Sequence, residues 1–184
     1  MKPVIYLLLS TCGMFPFLQA QTAQPSAPPA PATEMKSMAF LIGQWQLDAW
    51  FPQADGSKRK SKATMEAKYT LDGKGIEMTA RYPGAAGKPD FVSVHTFVFN
   101  PRLGKIIGSG INTLGNWKSF EATAEDGKLI IIQSGMLFQG RSGINRRTLF
   151  DIGKDSFKAV LDHSPDDGKT WQKATFGYTA TRIQ

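Results

Sequence analysis

From Gly43 to the C-terminus, apolar and polar side chains alternate one by one, and the alternation is broken at short intervals by Gly, Pro or Asp. A period of two is the mark of strands with one buried and one wet face. Trp45, Leu47, Ala49 and Phe51 share one face of the first such run, with Gln46 and Asp48 on the other. Pro52 to Gly56 ends it. Ala63, Met65, Ala67, Tyr69 and Leu71 then stand against Lys62, Thr64, Glu66, Lys68 and Thr70, and Asp72-Gly73-Lys74-Gly75 reads as a hairpin turn into Ile76, Met78, Ala80 and Tyr82. Phe91 to Phe99 is apolar in both phases, which predicts a strand covered on both sides. Further runs span 105–111, 118–124, 128–133 and 145–152. Near the end, Phe157, Ala159, Leu161 and His163 alternate with Lys158, Val160 and Asp162, and Phe176, Tyr178, Ala180 and Arg182 with Thr175, Thr179 and Thr181. No helical run is long enough for a parallel crossover. The pattern predicts an all-β domain: a closed antiparallel barrel of about ten strands, since closure removes exposed sheet edges. Met136-Leu137-Phe138, between Gly135 and Gly143, reads as a strand end or as a loop over the barrel mouth.

The N-terminal part has a different texture. Lys2 followed by apolar Val4 to Leu9 and Phe15 to Leu18, with Ala20 before the expected cut, reads as a signal peptide over 1–20 and predicts a periplasmic or secreted protein. A competing reading makes Leu9-Ser10-Thr11-Cys12 a lipoprotein cleavage box. Residues 21–37 are Pro-, Ala- and Gln-rich and predict a disordered tether. Within and after that stretch, Met35, Met38, Ala39 and Ile42 recur at helical spacing, so Glu34 to Leu41 is expected to form a short helical lid on one barrel end. The barrel domain is placed at 38–184. No later apolar run approaches membrane-spanning length.

The formal charge of +7 and pI near 9.6 favour anionic surfaces or ligands. No stripe of arginines interleaved with aromatics suggests nucleic-acid binding. Lys58-Arg59-Lys60 is expected on a solvated hairpin tip. The single cysteine, Cys12, lies in the segment expected to be removed, so no disulfide is expected.

Two motifs carry structural logic. Ser164-Pro165-Asp166-Asp167-Gly168-Lys169-Thr170-Trp171 fits the Asp-box: Asp166 accepts N–H bonds across a tight turn, Gly168 supplies a positive φ, and Trp171 folds back over the hairpin. The motif recurs once per blade in sialidase-like propellers but stands once here, in a chain with no internal repeat, which argues against a glycosidase. Asp162, Asp166 and Asp167 do not match the spacing of a calcium-binding EF-hand loop. Gly43-Gln44-Trp45 and the late Arg182 resemble the calycin signature, in which the guanidinium packs on the indole and ties the last strand to the first. With the Phe40-Leu41-Ile42-Gly43 opening and the run Arg146-Arg147-Thr148-Leu149-Phe150-Asp151-Ile152, the chain resembles the bacterial domain-of-unknown-function family 1579, a lipocalin-like group without an assigned activity. The resemblance implies a barrel and carries over no catalytic residue.

No Gly-x-Ser-x-Gly elbow, Walker loop or His-Glu-x-x-His motif is present, so no enzyme is expected. Only two histidines exist, His95 and His163, which argues against a multi-histidine metal site. The leading expectation is a binding module that holds a small hydrophobic or amphipathic molecule in the barrel, with no cofactor. The motive is the inward alanines 63, 67, 80, 122 and 159, which leave volume beside Met65, Tyr69, Met78, Tyr82, Phe97 and His163. One alternative is an interaction module with a solid core, in which those alanines offset bulky aromatics. Another is a haem-binding barrel of the nitrobindin type, with His163 directed inward, although Leu47 and Ala49 stand where that type has glycines.

Overall fold

The computed structural model describes residues 33–84, 87–136 and 142–183. The expected signal peptide, Cys12, the tether as far as Ala32, and Leu137-Phe138 lie outside the described residues. Ten antiparallel strands form one closed barrel: β1 Gly43–Pro52, β2 Lys58–Thr70, β3 Gly75–Tyr82, β4 Phe91–Asn100, β5 Lys105–Asn112, β6 Trp117–Glu125, β7 Lys128–Met136, β8 Ser142–Phe150, β9 Ser156–Ser164 and β10 Gln172–Arg182. Each strand pairs with its neighbours in sequence, and β1 pairs with β10 through Trp45↔Arg182, Leu47↔Ala180 and Ala49↔Tyr178. The two ends of the domain meet, as the alternating pattern requires.

Small residues face large ones around the wall. Leu47 stands opposite Ala63, Met65 opposite Ala80, Met78 opposite Ala67 and Leu149 opposite Ala159. All eight are buried. This arrangement lets side chains of a narrow barrel meet without overcrowding.

One end is sealed by a 3-10 helix, Thr33–Leu41, which buries Met35, Met38 and Leu41. Their spacing of three is the period of a 3-10 helix, in which residues i and i+3 eclipse. The lid thus presents Leu41, where α-helical spacing had pointed to Ala39 and Ile42. It also moves the start of the folded chain to Thr33, ahead of the expected boundary at 38.

Three further expectations are corrected. Leu71 leaves the inward phase of β2: it has φ 50° in the β2–β3 turn and is 67% exposed. Lys58, Arg59 and Lys60 open strand β2 instead of forming a hairpin tip, and two of them lie over aromatic rings, Lys58 on Trp50 at 4.1 Å and Arg59 on Phe51 at 4.6 Å. Strand β4 is not covered on both sides. Phe97 is buried inward, whereas Val92, Val94 and Val98 on the outer wall remain partly exposed, because a single-layered barrel has no second sheet to pack there.

Candidate functional site at the open end of the barrel

The sealed end is held by the first and last strands. Arg182 lies over the Trp45 indole at 4.1 Å, and its Nη1 and Nη2 donate to the carbonyls of Ile42 (2.7 Å) and Phe40 (3.3 Å), while Nε donates to Lys154 O (3.1 Å). Trp45 Nε1 donates to Leu41 O at 2.8 Å, which ties the lid to the barrel. Gly43 has φ 122°, and a Cβ there would overlap the Arg182 guanidinium, so glycine is required twice over. Phe157 packs edge-on against both Trp45 (4.9 Å) and Phe40 (5.3 Å) and completes a dry apolar plug.

The Asp-box hairpin lies between β9 and β10. Asp166 accepts from Thr170 N (2.8 Å), Thr170 Oγ1 (2.7 Å) and Ser164 Oγ (2.9 Å); these bonds, the Thr170 amide first, hold its carboxyl below the usual range. Gly168 takes φ 90°, and Trp171 Nε1 donates to Gly168 O at 3.0 Å. The indole also receives Arg146 at 4.4 Å. Arg146 pairs in turn with Asp162 at 2.9 Å, and Asp162 accepts from Ala174 N at 3.0 Å as well. Asp162 is therefore committed to the outer wall beside the hairpin.

The opposite end differs in kind. Among the described residues no helix or strand crosses it. Its upper wall is aromatic: Phe176 lies 4.9 Å from Phe51 and 6.0 Å from Tyr82, and Tyr178 stands 5.8 Å from Phe176. Toward the same end, the inward phases of β4, β6, β7, β8 and β9 turn polar. The groups are His95 on β4, Lys118 on β6, Gln133 on β7, Asn145 and Arg147 on β8, and His163 on β9. The register fixes their direction. Arg147 pairs with buried Ile131 on one side and Leu161 on the other, and Lys118 shares its face with buried Phe120 two residues on. His163 Nδ1 donates to Asn145 Oδ1 at 3.0 Å, and the His95 ring packs edge-on against Phe120 at 4.9 Å.

The electrostatics of this end are one-sided. Burial pushes Lys118 down to about 8, and the Arg147 guanidinium adds to the effect. Burial also holds His95 well below the usual histidine range, with Arg147 and Lys118 reinforcing it. The phenols of Tyr82 and Tyr178 are raised by burial, and Arg147 opposes the rise at both. A single guanidinium thus acts on four side chains from four other strands.

The side chains expected to line a cavity do not stay together. Met65, Met78 and Phe97 are 2–4% exposed and belong to the packed core; Phe97 stacks on Phe120 at 5.3 Å. The alanines beside them stand opposite bulky side chains, Ala80 opposite Met65 and Ala67 opposite Met78. Tyr69 sits toward the lid end, paired with Ile76. Tyr82 and His163 are at the open end. The sequence reading missed His95, Lys118, Gln133, Asn145 and Arg147, although one signal was available, since Arg147 lies in phase with core Leu149 two residues later. A depression of about 570 Å³ involves Leu71, Glu77, Thr96, Val98, Ile107 and Ser109 along β3–β5 and touches Phe97, but none of His95, Lys118, Gln133, Asn145, Arg147 and His163 lines it.

A closed antiparallel barrel whose first strand carries Gly-x-Trp, with a late arginine stacked on that tryptophan, is a calycin-type, lipocalin-like fold. No known family profile and no curated protein matches the chain. Among solved structures it is similar to Rv2717c from M. tuberculosis, with 11% identity and a TM-score of 0.59 over 84% of this chain and 99% of that one. It is also similar to the S-type phycobiliprotein lyase from Guillardia theta, with 11% identity and a TM-score of 0.53 over 84% and 99% of the two chains. At such identities the likeness concerns the fold. The resemblance to family 1579 is thereby supported as a lipocalin-like barrel and not as membership. Among the described residues, no helix is long and apolar enough to cross a membrane.

Proposed function

We propose that the protein is an exported, non-enzymatic binding module that holds a small amphipathic molecule in the open end of its barrel. The observation that supports this reading most is the asymmetry of the interior. One end is a dry plug under a lid, and at the other aromatic and polar side chains share the inward face. A solid-core interaction module has no use for unpartnered buried polar atoms such as Gln133 Oε1 and Arg147 Nε, each of which costs desolvation unless something satisfies it. The lyase of similar fold is named for work on phycobiliproteins, and the barrel architecture lends itself to enclosing organic molecules.

The test is native mass spectrometry of the protein isolated from its own host under non-denaturing conditions. A retained small molecule, lost on unfolding, supports the reading. A bare mass, together with no binding of fluorescent apolar probes, refutes it.

A further inference from the structure

We propose that the molecule taken by the open end carries an anionic head group, a carboxylate or a phosphate, and that Arg147 and Lys118 are its charge partners. This inference rests on the binding reading above and narrows it to a ligand class.

The argument starts from charge without a counter-charge. None of the ion pairs formed by the described residues includes Arg147 or Lys118; the acids of those pairs face outward or lie in turns, as Asp48, Glu77, Glu121 and Asp162 do. Along the inward phases of the ten strands no aspartate or glutamate appears among the described residues. Arg147 Nε is fully buried and has no hydrogen-bond partner there. An arginine cannot shed its charge as a buried lysine can, so an unpaired guanidinium inside a barrel is costly to keep. The protein nevertheless places a second cation, Lys118, in the inward phase two strands away, and the two repel. Such a pair is expected where an anion completes the site, and the planar guanidinium suits a carboxylate or phosphate fork.

The neighbouring groups fit the same occupant. Burial keeps His95 neutral, so its ring can offer one N–H without adding charge. Gln133 has an unpartnered buried Oε1, which can accept from an ordered water on the head group. Toward the same end, Phe51, Phe176, Tyr82 and Tyr178 form a continuous aromatic wall for an apolar body. Arg59, lying over Phe51, adds a positive charge at the rim.

The experiment is calorimetric titration of the purified full chain with three probes of equal chain length: decanoate, decyl phosphate and decan-1-ol. The expected result is that at least one of the two anions binds about tenfold or more tightly than the alcohol. Which anion binds more tightly identifies the head group. In Arg147→Met that preference falls to about threefold or less, while the alcohol affinity is unchanged and the far-ultraviolet spectrum is native. Lys118→Met, which removes the other cation, lowers the preference as well. Equal binding of all three probes overturns the anionic head group and leaves the binding module standing. Full preference retained in Arg147→Met overturns the assignment of the charge partner. No binding of any probe overturns the binding reading and this inference with it.

Discussion

Replacing Arg182 tests the account of how the barrel is held closed. In Arg182→Ala three donated hydrogen bonds, one cation–π contact and a solvent-screened ion pair with exposed Asp155 disappear together, the last contributing little. The stacked contact is worth about 1 kcal/mol at a partly exposed site, and each bond to a backbone carbonyl about 0.5–1 kcal/mol net. The expected loss is about 3 kcal/mol. For a domain of this size that lowers Tm by roughly 6–12 °C. Arg182→Lys keeps a cation near the indole but loses the fork that reaches Ile42 and Phe40 at once, so about half of the loss is expected. Urea unfolding gives the free energies, and the Trp45→Phe, Arg182→Ala double cycle isolates the stacked pair. The reasoning is refuted if Arg182→Ala costs less than about 0.5 kcal/mol, because the contacts would then be ornaments on a barrel closed by its ladder alone. Gly43→Ala supplies a further check: its cost is expected to shrink in the Arg182→Ala background, where the added methyl no longer meets the guanidinium.

Other expectations follow from the same geometry. Lys118 is depressed to about 8 in the folded chain against 10.5 when free, so the unfolded state binds more protons between those values and the group's destabilising effect is relieved as pH rises through that window. Lys118→Met should therefore be more stable than the parent at pH 7, with a gain that shrinks toward pH 10.5; a gain independent of pH would contradict the buried-cation account. Asp166 has a depressed folded value, so its contribution is present above 3.8 and is lost as pH falls through the folded value. Amide protection in residues 164–171 should accordingly fall in Asp166→Ala at neutral pH, and in the parent as pH drops through the depressed carboxyl value, while β1 to β7 keep theirs. The intact mass of the chain from a periplasmic fraction should correspond to a start at Gln21; a lipid-modified Cys12, or an uncleaved chain in the cytoplasm, would overturn the export reading.

Much of the architecture was legible because a strand in a closed barrel leaves a period-two record of its two faces. Trp45, Leu47 and Ala49 were assigned inward from spacing alone, and the contact between Trp45 and Arg182 was anticipated from a signature at the two ends. The pattern misled where its assumption lapsed. Leu71 continues the alternation of β2 but falls in a turn with positive φ, and the lid follows a period of three that α-helical spacing does not anticipate. The candidate lining spreads along the barrel for a related reason: phase assigns Met65, Tyr82 and His163 to the same inward face but carries no information about depth along the barrel axis.

By itself, then, the order of apolar and polar residues determined the class of fold, the pairing of neighbouring strands and the meeting of the two ends, because these depend on local spacing and on the need to bury one face. Tertiary structure alone decided that Arg147, Lys118, His95 and Gln133 converge from separate strands, and that one end is dry and the other polar. Those relations span the barrel's interior, where distance is set by register and closure and leaves no periodic trace along the chain.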